Sequence, residues 1–395
     1  MEADRIPFNT LKPVFEKHRE EYERAALEVL RSGSYVLGMQ GELFEREFAA
    51  FVGTSHCVSV NSGLDALRLA VQSLGIGPGD EVIVPANTYI ASALAVSLNG
   101  AAAVFAEPDA WFALDPAAAR RAVTERTKAI LPVHLYGQAC GMDELTRLAG
   151  KRGLFVIEDC AQSHGATFRG RMTGSFGNAG CFSFYPTKNC GAFGDGGAVT
   201  TNDGSVAETL RRLRHYGIGP DGSHGTAGWN SRLDEVQAAL LRVRLRHLRD
   251  DLKTRDALAQ RYLDGIENPA VTLPLVRRDA VHTWHLFVVR CTARDALREW
   301  LAQNGIDTKV HYPVPPHATP VYGKPGSPHA TPVYGKPGSP QGGLPLTERL
   351  ADEVLSLPLF EGMTTAQSDR VIETVNAFSP PRTGSAGTRE VRPRS

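Results

Sequence analysis

The sequence contains one lysine whose setting is unusual for a charged side chain. Lys188 stands in the run FSFYPTKNCGAFGDGG (182–197), after an aromatic-rich stretch with the composition of a buried strand and before several glycines. A lysine amine attacks a carbonyl only when neutral, and partial burial or nearby cations lower its pKa towards that form. Lys188 is therefore a candidate for Schiff-base formation. A solvated lysine in a turn fits the same position, so companion residues must distinguish the two interpretations.

A carboxylate ends another apolar stretch. Asp159 closes LFVIED (154–159) and opens the motif that continues as CAQSHGA. Ligand sites in open α/β sheets lie at the carboxyl ends of strands, where a carboxylate can hold the protonated ring nitrogen of pyridoxal phosphate (PLP). The alternative roles for Asp159 are a helix cap and a metal ligand. We expect no metal site, because Glu158 points to the opposite face of the strand and the sequence shows no His/Cys cluster nearby.

A third stretch could bind an anion. NSGLDALRLA (61–70) places small residues before an amphipathic pattern, and the first N–H groups of a helix are free to bind a phosphate with help from the helix dipole. Ser62 could equally be an N-cap alone. The phosphate-cradle candidates are Asn61, Ser62, Gly63 and Leu64.

Two further features have competing interpretations. Tyr89, in PANTYIAS, could lie flat on a cofactor ring or pack in the core. The run GAFGDGG (191–197) superficially resembles a dinucleotide-binding loop, but that fingerprint requires a helix after it, and here the strand-like GAVTT follows. The glycines therefore predict a sharp turn at a crowded site.

Alternating strands and helices must position these residues. Helical patterns such as LDALRLAVQSLG and YIASALAVSLNG separate several apolar runs, which predicts an α/β fold with a mixed, mostly parallel seven-stranded sheet flanked by helices. The last two strands are separated only by the lysine loop, so we expect them to pair antiparallel. The predicted strands are 56–60, 81–85, 102–107, 128–134, 154–159, 180–185 and 196–201.

The second half of the chain predicts a smaller α/β unit. The helical stretch 231–266 is too long for a crossover helix and is expected to link the two units, while 284–291 and 293–305 have the patterns of a strand and a helix. We therefore expect a large domain over 1–245 and a small one over 246–378.

Twelve residues are duplicated in the small unit. HATPVYGKPGSP occurs at 317–328 and again at 329–340, and its proline and glycine content predicts an exposed loop. The end of the chain, 379–395, has little to bury and is expected to be disordered.

Composition excludes several function classes. Lys+Arg and Asp+Glu are both 43 in 395 residues, so no basic excess points to nucleic acid. The six cysteines form no CxxC pair, and no apolar stretch has the length of a membrane span or the pattern of a signal peptide. We expect a soluble cytoplasmic protein without nucleic-acid or membrane partners.

The motifs together resemble one family. SGLDAL, PANTYIAS, VHLYGQ, EDCAQSHGA, FSFYPTKN, GDGGAVTTND, NSRLDEVQAA and HYPVP are similar to those of the DegT/DnrJ/EryC1/StrS sugar aminotransferases, of the fold-type I PLP superfamily, over about Pro7 to Phe378. The sequence departs from the family at Cys190, where leucine is usual. Relatives with histidine in place of the lysine perform dehydration, and Lys188 argues against that branch.

The resemblance implies a role for each candidate. Lys188 would form the Schiff base with PLP and carry the proton, with Asp159 on the pyridine nitrogen. Asn230 would reach the phosphate of the neighbouring subunit, so the resemblance implies a homodimer with active sites at the interface. The remaining implied cofactor contacts are Ser62, Gly63, Leu64, Tyr89, Gln162 and Ser183. The implied substrate contacts are His164, Tyr185, His311 and Tyr312.

The resemblance also implies a reaction. The residues of the motifs are most similar to those of enzymes that act on dTDP-3-keto-6-deoxyhexoses. These enzymes transfer an amino group from L-glutamate to make 3-amino sugars for antibiotics or surface glycans. A 4-keto-sugar, or a cyclitol ketone with glutamine as donor, is the alternative substrate. A PLP-binding regulatory protein without turnover is the alternative from another class.

Overall fold

The structure is a computed structural model that describes residues 5–323 and 343–381. Its helices are α1 Lys12–Lys17, α2 Arg19–Ser32, α3 Met39–Val52, α4 Gly63–Ser73, α5 Ile90–Ser97, α6 Pro116–Ala122, α7 Met142–Arg152, α8 Gly204–Leu213, α9 Glu235–Gly265, α10 Arg294–Gln303, α11 Pro320–Gly323, α12 Pro345–Glu353 and α13 Thr365–Asn376. Its strands are β1 His56–Val60, β2 Glu81–Pro85, β3 Ala102–Ala106, β4 Thr127–Ile130, β5 Phe155–Asp159, β6 Thr167–Phe168, β7 Arg171–Met172, β8 Ala179–Ser183, β9 Gly197–Thr201, β10 Ala280–Val281, β11 Phe287–Arg290 and β12 Val354–Leu357.

A seven-stranded sheet forms the centre of the fold, in the order β1-β9-β8-β5-β4-β2-β3. The pairs from β8 through to β3 are parallel, whereas β9 pairs antiparallel with both β1 and β8. The α/β fold with a mixed, mostly parallel sheet is therefore confirmed, as is the antiparallel pairing of the strands on either side of the lysine loop. These strands read as continuous apolar runs because helices cover both faces of the sheet.

One strand is shorter than its apolar run. KAILPVH (128–134) predicts a strand through residue 134, but β4 ends at Ile130. Pro132 has no N–H with which to continue the ladder. Beyond it, Val133 pairs with Asp159 only through an isolated bridge.

The long helix α9 runs without a break through residue 245, the predicted domain boundary, and ends at Gly265. It packs on α2 and α3. Beyond it, β11 pairs antiparallel with β12 around a core that includes Tyr262, Trp284 and Phe287. The division into a large and a small domain stays a prediction. None of the described helices has the combination of length and apolar content needed to cross a membrane.

The start of the duplicated segment is not an exposed loop. Tyr322 is buried, its hydroxyl lies 3.1 Å from Ser97 Oγ, and its ring packs edge-on against Phe105. His317 is also buried. Residues 324–340 of the two copies, and the predicted disordered tail from 382 onward, lie outside the described residues.

Candidate active site

The carboxyl ends of the parallel strands open into a cavity of about 410 Å³. Lys188 and Asp159 both line it, although Lys188 follows Asp159 by 29 positions in the chain. Most of the candidates chosen from the sequence meet there. Those lining the cavity are Ser62, Gly63, Leu64, Tyr89, Asp159, Gln162, Ser183, Tyr185, Lys188, His311 and Tyr312.

Lys188 lies in the turn between β8 and β9. Its N–H donates to the carbonyl oxygen of Tyr185 at 2.8 Å, and Ala192 N–H donates to Phe184 O at 2.8 Å, which closes the loop tightly. A Cβ on Gly191 would stand 2.3 Å from the carbonyl oxygen of Pro186, so the turn requires glycine there.

The surroundings of Lys188 favour its neutral form. Burial lowers the pKa of its amine to about 8, and the charge of Asp159 opposes this shift. A lysine with an ordinary pKa has only a very small neutral fraction at neutral pH, whereas this amine has a substantial one. The lowered pKa therefore makes the Lys188 amine a better nucleophile at neutral pH, and Lys188 lines the cavity.

Asp159 is fixed at the end of β5. Its N–H donates to Pro132 O at 2.8 Å. Its carboxylate accepts hydrogen bonds from Ser92 Oγ at 2.7 Å and from Ala161 N–H at 3.1 Å. Burial raises the pKa of this carboxyl, and these hydrogen bonds and Lys188 oppose the rise. The carboxylate can therefore hold a cationic N–H group in the cavity.

The helix α4 supplies the expected anion cradle. Ser62 is its N-cap, with Oγ accepting from Asp65 N–H at 3.2 Å, so the capping role and a place on the cavity wall coexist. A Cβ on Gly63 would lie 2.5 Å from Ser183 Cβ, which shows how closely the helix terminus approaches β8. Because the first N–H groups of a helix have no acceptor within it, an anion bound beside Gly63 and Ser183, at the start of α4, would meet free donors.

Aromatic side chains cover the cavity. The rings of Tyr89 and Tyr312 are 5.1 Å apart, and Gln162 Nε2 donates to the Tyr312 hydroxyl at 2.9 Å. Gln162 Oε1 accepts from Tyr136 N–H at 2.7 Å, so both ends of this amide are already bonded. His311 Nδ1 lies 2.8 Å from Ser356 Oγ. Tyr185 is exposed at the cavity edge.

Three candidates are not brought into the cavity. His164 is fully buried, with its ring 5.5 Å from that of Phe182 and 5.7 Å from that of Phe184, and it does not line the cavity. Burial lowers the pKa of His164 to about 3, and Lys188 adds to the effect. Asn61 also lies outside the lining. Asn230 is exposed and away from the cavity of its own chain.

Sequence reasoning missed the residues that orient Asp159 from outside its own motif. Ser92 is in PANTYIAS, where only Tyr89 had been chosen, and Thr88 Oγ1 lies 2.8 Å from Ser92 Oγ. It also missed His285, a buried residue that lines the cavity. Burial and the charge of Lys188 lower the pKa of His285 well below its ordinary value.

The opposite face of β5 carries a second buried polar cluster. Contrary to the expectation that no His/Cys cluster lies near Glu158, ligand atoms of His134, Glu158 and Cys160 lie within 4.8 Å of one another. The Glu158 carboxylate accepts N–H groups of residues 174, 176 and 177 at 2.7–2.8 Å and contacts His134 Nε2 at 3.0 Å. These bonds give Glu158 a structural role behind Asp159.

Comparison with known proteins decides the family. The model of the DegT/DnrJ/EryC1/StrS aminotransferase family matches residues 16–376. The chain belongs to this family. Membership confirms the resemblance inferred from the motifs and the expectation that the protein is an aminotransferase enzyme.

Named relatives match along most of their length. This aminotransferase is 50% identical to dTDP-3-amino-3,4,6-trideoxy-alpha-D-glucose transaminase of Streptomyces venezuelae, over 96% of this chain and 97% of the relative. It is 46% identical to dTDP-3-amino-3,6-dideoxy-alpha-D-galactopyranose transaminase of Aneurinibacillus thermoaerophilus, over 94% and 99%. The solved structure of S. venezuelae DesV in complex with a ketimine intermediate superposes with a TM-score of 0.88 at 50% identity, covering 94% of this chain and 98% of that one.

The residues of this aminotransferase fit PLP. Lys188 offers an amine whose pKa is lowered by burial, Asp159 offers a carboxylate for a ring N–H group, and the α4 terminus with Ser183 offers donors for a phosphate. Gly63 and Ser183 are in such close contact that a Cβ at residue 63 would clash with the Ser183 side chain, so glycine is needed at the start of α4. The cavity therefore combines the three groups that this cofactor needs.

Proposed function

We propose that the protein uses PLP to transfer an amino group from L-glutamate to a dTDP-linked 3-keto-6-deoxyhexose, which gives a dTDP-3-amino sugar for antibiotic or surface-glycan biosynthesis. The observation that carries the proposal is the presence of the Lys188 amine, with a pKa of about 8, and the Asp159 carboxylate in one cavity. The two named relatives, both dTDP-3-amino-sugar transaminases, support the 3-keto position and the nucleotide.

The residues of the cavity would have two roles, binding the cofactor and transferring a proton. When bound, PLP supplies an electron sink for the charge left on the substrate carbon. Asp159 would hold the pyridine N–H. The phosphate would be bound by Ser62, Gly63 and Ser183. Lys188 Nζ would attach the cofactor and then act as the base that removes the proton from the donor carbon.

The aromatic cover would orient the substrate and exclude water. Tyr89, which lines the cavity, would contact the cofactor ring. Tyr312 is positioned by Gln162, and its hydroxyl is available at the cavity with Tyr185 and His311. Because the holoenzyme would keep the amino group after the donor's keto acid leaves and before the keto-sugar binds, the kinetics would be ping-pong.

We also propose that the active unit is a homodimer. Asn230 is exposed and does not line the cavity of its own chain, which suits a residue that reaches the phosphate site of a neighbouring subunit.

The six cysteines are all free and buried, which suits the reducing cytoplasm that we propose as the location of the protein.

A spectroscopic experiment tests the proposed function. Purified protein supplied with PLP should absorb in the visible range and lose that absorbance on addition of L-glutamate. It should regain the absorbance when a dTDP-3-keto-6-deoxyhexose is added, and mass spectrometry should find the aminated sugar nucleotide. Transfer to a 4-keto-sugar or a cyclitol ketone alone would contradict the proposed substrate. Retained colour with every amino donor would contradict turnover and favour a regulatory protein.

A further inference from the structure

A second cavity, of about 210 Å³, lies on the other side of the lysine loop. The N-terminal segment 9–11, the loop 186–193 and the helix α9 form its walls. Thr187 and Lys188 line both cavities. A ligand held here would therefore lie beside the reactive lysine without occupying the larger cavity.

Arg255, on α9, brings a buried cation to this second cavity. Only 8% of the residue is exposed. Its Nε donates to Trp284 O at 3.1 Å, and its Nη2 donates to the carbonyl oxygens of Trp284, His285 and Leu359 at 2.8–3.1 Å. Within the described ranges, Nη1 makes no hydrogen bond. Burial lowers the pKa of Arg255 to about 10, so the group remains a cation at neutral pH.

The neighbouring carboxylates are already bonded to other cations. Arg244 binds Asp251 through Nη1 at 2.7 Å, and both of its Nη atoms bond Glu361. Lys17 donates to the other oxygen of Asp251 at 2.7 Å. Among the residues that the structure describes, no carboxylate is in hydrogen-bond contact with Arg255. Glu361 lines the same cavity, and the charges of Glu361 and Asp251 act on Arg255 without a hydrogen bond. Because its bonded acceptors are all carbonyl oxygens, the buried guanidinium favours a directly bound anion, as buried charges are normally paired.

We propose that Arg255 binds a carboxylate of the amino donor. This inference rests on the proposed function. The unbonded Nη1 is a charged donor for a carboxylate oxygen, and the cavity suits a small amino acid rather than a nucleotide sugar. A carboxylate anchored at Nη1 directs the rest of the donor to Lys188, the residue that both cavities share. Arg255 is thus a specificity-determining residue for the donor half of the reaction.

Binding of glutarate, an unreactive dicarboxylate, tests this site in the PLP-loaded protein by calorimetry. Arg255→Met should weaken glutarate binding roughly tenfold or more, and Arg255→Lys should recover part of the loss. The glutamate concentration for half-maximal bleaching should rise in parallel, while KM for the keto-sugar stays unchanged. Arg261→Met, on the same helix but half-exposed and paired with Asp369, is the matched control.

A second variant leaves the bonds of Arg255 in place. Asn9→Asp preserves shape and adds a negative charge to the wall of the same cavity. It should weaken glutarate binding several-fold, even if Arg255→Met fails to fold. Unchanged glutarate binding in Asn9→Asp, or in a folded Arg255→Met, would overturn the inference. If the variants bind dTDP more weakly but bind glutarate normally, Arg255 serves the nucleotide. That result would also overturn the inference.

The two proposals can fail separately. A wild-type protein that glutamate does not bleach would refute the proposed function, whatever the variants bind. A wild type that glutamate bleaches, with variants showing the same glutamate dependence, would refute only the role of Arg255.

Discussion

The hydroxyl of Ser92 donates a hydrogen bond to the carboxylate of Asp159 across 2.7 Å in the core of the protein. Ser92 is on α5, the helix that follows β2, and β4 lies between β2 and β5 in the sheet. Thr88 Oγ1 lies 2.8 Å from the same hydroxyl. Burial raises the pKa of Asp159, and the bond from Ser92 is the first of the contacts that oppose the rise. Ser92 therefore helps to keep a buried acid in the charged form that can hold the pyridine N–H.

Ser92→Ala should raise the pKa of Asp159 further. A hydrogen bond to a charged acceptor contributes about 1.5–3 kcal/mol, and its loss removes stabilisation of the ionised carboxylate. The acidic limb of the pH profile for amino transfer should therefore move to higher pH. Ser92→Thr keeps the hydroxyl and should leave the limb in place. An unchanged acidic limb in the alanine variant would contradict the role given to Ser92.

The contact between Ser92 and Asp159 shows where sequence reasoning stops. The strands could be predicted because strands covered on both faces are continuously apolar. Lys188 and Asp159 could be chosen because each lies at or just after the end of such a strand. The pairing of Ser92 with Asp159 depends on which strands are neighbours in the sheet. Sheet order is a long-range property, and the apolar pattern of a strand does not specify it.

His164 illustrates a different limit. It lies in the same motif as Asp159 and Gln162, and motif membership alone made it a candidate for binding substrate. The turn after β5 places its ring against Phe182 and Phe184 instead of the cavity. The direction of a side chain in an irregular turn depends on backbone dihedrals that residue types do not specify.

Gly63→Ala should weaken PLP binding strongly. The new Cβ would meet Ser183 Cβ at 2.5 Å, so the helix terminus and β8 would have to move apart where the phosphate is expected. We expect the dissociation constant for PLP, measured by absorbance titration, to rise at least tenfold, because the first-turn donors are displaced. Gly150→Ala is the control, since no atom lies within 4 Å of its added Cβ. Equal PLP affinity in the two variants would contradict the assignment of the phosphate site to the start of α4.

Lys188→Met should stabilise the PLP-free protein below pH 8. Burial lowers the pKa of Lys188 from 10.5 to about 8, so folding disfavours its proton. Between these values the unfolded chain holds a proton that the folded chain releases, and wild-type stability rises with pH. The advantage of methionine should be about 1–2 kcal/mol at pH 7, allowing for partial exposure, and should shrink towards pH 10.5.

Thermal unfolding across that pH range measures the effect. Lys151→Met, at an exposed position of α7, should show no pH-dependent difference from the wild type. A Lys188→Met advantage that is constant from pH 7 to pH 10.5 would indicate better packing alone and would contradict the desolvated amine.

Asn230 can be assigned to its own or the neighbouring site by mixing two variants. Lys188→Ala and Asn230→Asp should each transfer little amino group alone, the second because its added charge repels a phosphate. If Asn230 serves the neighbouring site, random reassociation gives mixed dimers with one intact site, and roughly a quarter of wild-type activity returns. If no activity returns on mixing, Asn230 does not act across a dimer interface.

The covalent attachment at Lys188 tests the central claim most directly. The PLP-loaded protein would be reduced with borohydride, digested and mapped by mass spectrometry. The account predicts one modified peptide, carrying the mass of the reduced cofactor on Lys188, and no such peptide from Lys188→Ala. The cofactor mass on a different lysine, or no modified peptide from a fully loaded wild type, would contradict it.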